Sequence, residues 1–495
     1  MTDVAAARDT GLPTEAELAD EPSPEVSPGR VRLLTATALL CLAAAVGCVV
    51  AMFTLTDRVA VGAVAMVLML LLMVLRVPVS ISMIATGLLG IYVLAGERAL
   101  TSSLRDYPFR TMADWQLSVL PMFILMGLVM WRSGITAQVF RAAEKWFARL
   151  PGGLGVATNF AGAGMASVSG STLGITYALG RIAIPEMLRA GYDKRLATGV
   201  VTMAGTLGQL IPPSILLVVY AGVAQVPIGD QLLAAIVPGL ILAVAYAVTI
   251  IAHATLKPSS APRVNRQVTW TEKFSSLGGV WPLPLLLLVI LGGLYSGVFT
   301  ATEAGACAAA LACVAAILVS RRKFWKHLYQ SSRDTVISTA AILFLLIGVG
   351  ILNRFLALSG VATAFADLIE GLPFGRIGFL LVLVLFYLVL GTFMEPLGMI
   401  LLTVPVFAPT LAALDINLLW FGVFLVIMGE IAIISPPVGV LLFIVYQMAR
   451  DPEVNVGHDV RMGDVLRGTL PFLAAALVVV GILIVAPDLT TLLTP

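Results

Sequence analysis

The chain has 495 residues, 59% of them hydrophobic and only 12% charged, with a formal net charge of +2. A soluble chain carries about 25% charged residues, and half that density cannot solvate a water-facing surface. Composition therefore excludes a soluble enzyme, a nucleic-acid binder, a disordered chain and a disulfide scaffold, and continuous rather than alternating apolar runs exclude a β-barrel.

Residues 1–29 hold seven acids, from Asp3 to Glu25, against one base, Arg8. Such a segment reads as a disordered acidic tail. It lacks the basic start and short apolar core of a signal peptide. A transmembrane helix takes roughly 20 apolar residues, and such runs recur from Leu33 onward. The first, 33–54, lies in an extra N-terminal segment, 30–57. Further spans are expected at 59–75, 79–95, 113–131, 195–224, 231–252, 278–296, 301–320, 334–357, 417–447 and 468–488. Two apolar stretches, 153–190 and 376–412, are interrupted in the middle by Gly, Ser and Thr. Each is long enough for two half-helices, so both are read as re-entrant hairpins.

The polar loops set the expected orientation. Lys257, Arg263, Arg266 and Lys273 fill one loop, Arg321, Arg322, Lys323, Lys326 and Arg333 another, and Arg132, Arg141, Lys145 and Arg149 lie on 132–150. Alternate loops hold few bases. The excess of positive charge on cytoplasmic loops places the N-terminus in the cytoplasm and the C-terminus outside. Cys41, Cys48, Cys307 and Cys313 sit inside apolar runs, and His253, His327 and His458 lie near span ends. No His/Cys cluster offers a transition-metal site, so no cofactor is expected beyond a coupling ion.

The chain contains itself twice. Ser133-Gly134 leads to Pro151, Gly170, Pro185, Asp193, Pro212-Pro213 and Tyr220. Ser359-Gly360 leads in the same order to Pro373, Gly391, Pro405, Asp415, Pro436-Pro437 and Tyr446, at similar spacings. The expected units are a first copy over 58–252, a cytoplasmic loop over 253–277, a second copy over 278–488 and a tail, 489–495. By loop charge the copies have opposite topology. Inverted repeats with broken helices mark secondary transporters, whose site lies at the bilayer midplane.

Four segments carry the chemistry. The first tip, "SVSGSTLGIT", supplies Ser169, Gly170, Ser171, Thr172 and Thr176; the second, "GTFMEPLG", supplies Gly391, Thr392 and Glu395. Non-helical backbone at membrane depth persists where protein, water or a ligand takes its peptide groups. Incoming half-helices end in free carbonyls that suit Na+; outgoing ones begin with free N–H groups that suit an anion. The proline pairs in "LGQLIPPSI" and "GEIAIISPPVG" stop one helix and start another. They place Pro212, Ser214, Ser435, Pro437 and Gly439 beside the tips. Close packing by small residues and plain kinks are the structural alternatives. Glu395, a midplane carboxylate, is either functional or a cap for the following half-helix, and Glu430, six residues before a break, is left open. Glu303 is expected to cap its helix with Thr300 and Thr302. Arg181 and Glu186 read as interface anchors. An intramembrane enzyme is disfavoured for want of a His or paired-Asp constellation, and an ATP-driven pump for want of a phosphate-binding loop.

With "VPVSISM", "PMFILMG", "LPGGL", "SGSTLGIT", "GTLGQLIPPSILLVVY", "IVPGL", "FTATEAGA" and "SPPVG", residues 58–488 resemble the large membrane subunit of tripartite ATP-independent periplasmic (TRAP) transporters. The resemblance implies an all-α polytopic membrane protein of the inner membrane, an inverted-repeat elevator-type secondary transporter with two re-entrant helical hairpins and broken helices. It implies Na+-coupled uptake of an organic anion, a carboxylate, delivered by a periplasmic binding protein, with a separate small four-helix membrane subunit. Carried over, one sodium site falls at Ser169, Gly170 and Ser171 with Pro212 to Ser214. The other falls at Gly391 and Thr392 with Ser435, Pro437 and Gly439. Substrate then lies between the tips, near Thr172, Thr176, Thr392 and Glu395. This sequence departs from the family in reading Ser435-Pro436-Pro437 where Thr-Pro-Pro is usual, in the hydroxyl pattern after Gly170, and in the extra span 33–54. A stand-alone Na+/carboxylate transporter or Na+/H+ antiporter of similar fold is the alternative.

Overall fold

The computed structural model describes residues 28–262, 268–321, 323–370, 375–391, 394–435 and 439–494, with side chains except at 28–38, 136, 167–169 and 370. Among these residues there is helix and no strand. The acidic tail up to residue 27, the loop bases Arg263, Arg266 and Arg322, and the site candidates Thr392 and Pro437 lie outside the described residues.

Three helices open the chain: α1 (Pro28–Thr54), α2 (Arg58–Val74) and α3 (Val79–Met112). Asp57 caps α2 by accepting from Ala60 N at 2.8 Å. The expected span 79–95 ends early; α3 turns at Gly96 (φ 80°) and continues to Met112. The residues after Gly96 are polar enough to read as loop, yet hold good helix formers. Next come α4 (Val119–Arg132) and the strongly amphipathic α5 (Ile135–Phe147). The bases of 132–150 are thus borne largely on a helix, and Arg132 pairs with Asp334.

The first hairpin forms where expected: α6 (Gly153–Ser169) runs in, Gly170 takes a left-handed turn (φ 56°), and α7 (Thr172–Arg189) runs out. Then α8 (Lys194–Thr206) ends in a 3-10 turn at Leu207–Gln209, the chain breaks, and α9 (Ile215–Ala224) resumes. Helices α10 (Ile228–Ala234), α11 (Ile236–Leu256), α12 (Trp270–Leu277) and α13 (Pro282–Tyr295) lead to the second copy. The expected loop 253–277 therefore contains a helix of its own.

Helix α14 (Ala301–Val319) starts with the expected cap: Thr300 N donates to Glu303 Oε2 at 2.8 Å, and Glu303 N to the Thr300 hydroxyl. Helix α15 (Phe324–Ser359) begins ten residues before the expected span, taking in Lys326, His327 and Arg333. It is followed by α16 (Val361–Glu370), the hairpin arms α17 (Gly375–Leu390) and α18 (Pro396–Ala413), the second broken pair α19 (Leu418–Ala432) and α20 (Val440–Met448), and α21 (Met462–Val485). Among the described residues six helices are long and apolar enough to cross a membrane, or up to eight if two bent pairs each count as one span.

The two copies interlock. Helix α7 packs on α20, and α9 packs on α18, so each hairpin's returning arm rests on the other copy's broken helix. Arg181 on α7 reaches Asp451 at 3.1 Å, just beyond α20. Helices α8 and α21 cross at bare backbone: a Cβ on Gly199 would lie 2.2 Å from Gly468 O. Small residues permit such approach in membrane bundles, where dispersion and hydrogen bonding replace the hydrophobic effect. Tyr387 donates to Thr403 at 2.8 Å, tying the arms of the second hairpin.

Candidate functional site

Both tips press against their own copy's helix break. A Cβ on Gly208, four residues before Pro212, would meet Ile175 at 2.7 Å and Thr172 N at 3.4 Å. A Cβ on Gly391 would lie 1.9 Å from that of Ala432, four residues before Pro436. In both copies the tip thus comes into tight contact with the residue four before the proline pair.

Between them lies a cavity of about 440 Å³, within the usual range for small-molecule sites, about 300–1,000 Å³. The first tip gives Gly170, Ser171 and Thr172; the first break gives Gln209; the second tip gives Glu395 and Pro396; and α19 gives Glu430. Ser338, on α15, closes one side.

The first tip is built to present peptide N–H groups. Ser171 is the N-cap of α7, its Oγ accepting from Gly174 N at 3.2 Å. Thr172 and Leu173, the first two residues at the helix's positive end, line the cavity. The Thr172 hydroxyl donates to Glu430 Oε1 at 2.8 Å. Glu430 is only 3% exposed, and its Oε2 has no partner among the described residues, nor has Oε1 of Gln209. Buried carboxylate oxygens are costly to leave unpaired, so this corner is set to receive a cation or a donor.

The other candidates fall into two groups. Ser214 caps α9, accepting from Leu217 N at 3.3 Å, and its hydroxyl donates to Gln209 O across the break. Ser435 donates to Ile431 O at 2.8 Å. Gly439 is left-handed (φ 48°) at the start of α20. Pro212 joins Pro213 through a cis bond. These residues lie at the breaks and are not among those lining the cavity. Thr176 lies a turn deeper in α7, fully buried, with Oγ1 unpartnered among the described residues and 1.8 Å from where a Cβ on Gly205 would sit. Ser169 belongs to the last turn of α6. Glu395 occupies the N-cap position of α18 but makes no capping bond; it is exposed and faces the cavity.

Gln209 and Ser338 escape sequence reasoning, as does the pairing of Glu430 with Thr172. A polar residue three before the proline pair was the only available signal for Gln209. Among the described residues no Lys, Arg or His lines this cavity.

A family model described as "Tripartite ATP-independent periplasmic transporter, DctM component" matches residues 66–489. The chain belongs to this family. Relatives of this DctM-family chain include the C4-dicarboxylate TRAP transporter large permease of Pseudomonas aeruginosa, 34% identical over 375 residues, covering 75% of this chain and 84% of the relative. The sialic acid TRAP transporter large permease of Vibrio cholerae is 30% identical over 383 residues, covering 77% and 86%. The ectoine/5-hydroxyectoine TRAP transporter large permease of Ruegeria pomeroyi is 28% identical over 428 residues, covering 86% and 96%. In fold, the chain is similar to the YdaH transporter of Alcanivorax borkumensis (TM-score 0.56, 16% identity, 85% of this chain and 97% of that one). The DctM-family chain is thus an all-α, multi-pass membrane permease.

Proposed function

We propose that this large permease takes up an organic anion, a carboxylate, driven by an inward Na+ gradient. The anion arrives from a periplasmic binding protein, and a small four-helix membrane subunit braces the permease in the inner membrane. The N-terminus is cytoplasmic and the C-terminus periplasmic, and the two copies have opposite topology. The hairpins carry the site across the bilayer in an elevator motion.

The meeting of opposite charge preferences in one cavity carries this reading. The start of α7 offers N–H groups to an anion, while Glu430 and Glu395 repel one. Two like charges about 4 Å apart cost about 4 kcal/mol at an effective dielectric of about 20. A cation bound alongside the anion would offset that repulsion, which supports co-transport of the two. Ser169, Gly170 and Ser171 with Pro212 and Ser214 form one Na+ site in this scheme. Gly391 and Thr392 with Ser435, Pro437 and Gly439 form the other, and Thr172, Thr176, Thr392 and Glu395 bound the substrate. Uptake by the complete three-part system in proteoliposomes tests this: a Na+ gradient must drive accumulation. Equal accumulation from a proton gradient in choline buffer would overturn Na+ coupling.

A proton-coupled reading has one observation in its favour, the unpartnered oxygen of buried Glu430. Protonation there would also relieve the repulsion, and the same experiment separates the two.

A further inference from the structure

Away from the central cavity, α8, α11 and α21 enclose a second cavity of about 200 Å³. Arg195, His253, Lys257 and Arg467 line it, against one carboxylate, Asp193. Asp193 is already engaged: its Oδ1 caps α8 by accepting from Arg195 N at 2.9 Å. Arg195 is held at Asp464 through Nε at 3.1 Å. Lys257 and Arg467 have no ion pair among the described residues, and both are exposed. Three basic side chains, from α8, from the residue that ends α11 and from α21, thus line one small space. None of them touches the central site.

The floor of this cavity is apolar, made by Leu196, Pro471 and Phe472. Next to the lining residues Thr249 and Pro471, Val248 and Leu470 are exposed. Deeper along the same helices Val244 and Val478 are exposed too. Lys257 follows the C-terminal end of α11 and Arg467 lies near the N-terminal end of α21, so from the bases both helices run towards their apolar spans. Basic residues near the ends of both helices, with exposed apolar residues further along the same helices, suit the two ends of a phospholipid. A free phosphate or carboxylate would use the basic residues alone.

We propose that the cavity between α8, α11 and α21 binds the headgroup of an anionic phospholipid, with its acyl chains lying along Val248 and Leu470. The phosphodiester sits among Arg195, Lys257 and Arg467. Basic pockets between transmembrane helices recognise such headgroups through these charges. The lipid seals the crossing of α8 on α21 at Gly199 and Gly468, because Gly468 also lines the cavity.

The purified full chain, studied by native mass spectrometry with added phosphatidylglycerol, cardiolipin or phosphatidylcholine, tests this. Anionic lipid should be retained in preference to phosphatidylcholine. Lys257→Gln with Arg467→Gln should weaken that retention about 30-fold, from about 1 kcal/mol per lost charge. Arg321→Gln with Lys323→Gln, elsewhere on the surface, should leave it unchanged. Equal retention of phosphatidylcholine, or no effect of the cavity pair, overturns the proposal. Inorganic phosphate displacing the lipid at matched concentration identifies an anion site without lipid specificity and also overturns it. If the Gln pair melts early in phosphatidylcholine nanodiscs, Lys257→Arg with Arg467→Lys keeps both charges and must restore lipid retention.

Discussion

The hydroxyl of Thr172 donates to Oε1 of Glu430 at 2.8 Å, joining residues 258 apart in sequence. Thr172 opens the returning arm of the first hairpin and Glu430 lies near the end of α19 in the second copy. This bond ties the tip of one copy to the broken helix of the other.

Breaking it strands a buried oxygen. Thr172→Val keeps the shape and removes the donor, and should lower stability by about 1–3 kcal/mol. Combined with Glu430→Leu, the loss should be smaller than the sum, with a coupling of about 0.5–3 kcal/mol. Thermal or denaturant unfolding in detergent measures both. Strict additivity would show that the two side chains do not meet.

At the tips, Ser171→Ala and Thr392→Ala should insert normally and raise the Na+ or substrate concentration for half-maximal uptake. One lost oxygen contact is worth roughly 1–3 kcal/mol, or about 5- to 150-fold in the apparent constant. Ser171 also caps α7. Ser171→Gly preserves most of a cap's benefit, so it should keep stability yet lose the same affinity. Thr35→Ala, in α1, should transport like wild type. Unchanged Na+ titrations for both tip variants would reduce the tips to packing elements.

The proposed opposite topology of the copies is accessible to labelling. With the four native cysteines replaced, Ser259→Cys should react with an impermeant thiol reagent only from the cytoplasmic side. Asp367→Cys, exposed on α16, should react only from the outside. Labelling of both from one side would contradict the inverted arrangement.

Glycine position on α21 should matter more than glycine content. A Cβ on Gly468 would lie 1.9 Å from Arg195 O, whereas one on Gly481 meets nothing within 4 Å. Gly468→Leu should therefore cost about 1–3 kcal/mol or more through overpacking and cut the yield of monodisperse protein in size-exclusion chromatography. Gly481→Leu should be tolerated. Equal yields would mean that α8 and α21 do not cross there.

The hairpins were legible because their signal is local. The expected limits 153–190 and 376–412 differ by one residue at most from the ends of α6–α7 and α17–α18, since a Gly- or Ser-rich interruption inside an apolar run admits few other readings. The Glu303 cap was local as well. Helix length was not: α3 and α15 continue through polar sequence that composition assigns to loops, and α5 hides its apolar face behind four bases on 132–150. Within the site, Gly170, Ser171, Thr172 and Glu395 could be named from their tips. Gln209 and Ser338 acquire their role only when distant helices close around the cavity, which no spacing rule encodes.

The interlocking of α7 with α20 and of α9 with α18 bears on how the chain is made. The first copy leaves the ribosome before the second exists, and domains usually fold in that order. Until α18 and α20 are made, α7 and α9 lack the partners they pack on in the finished fold. The interlock can therefore close only once the C-terminal half has been made.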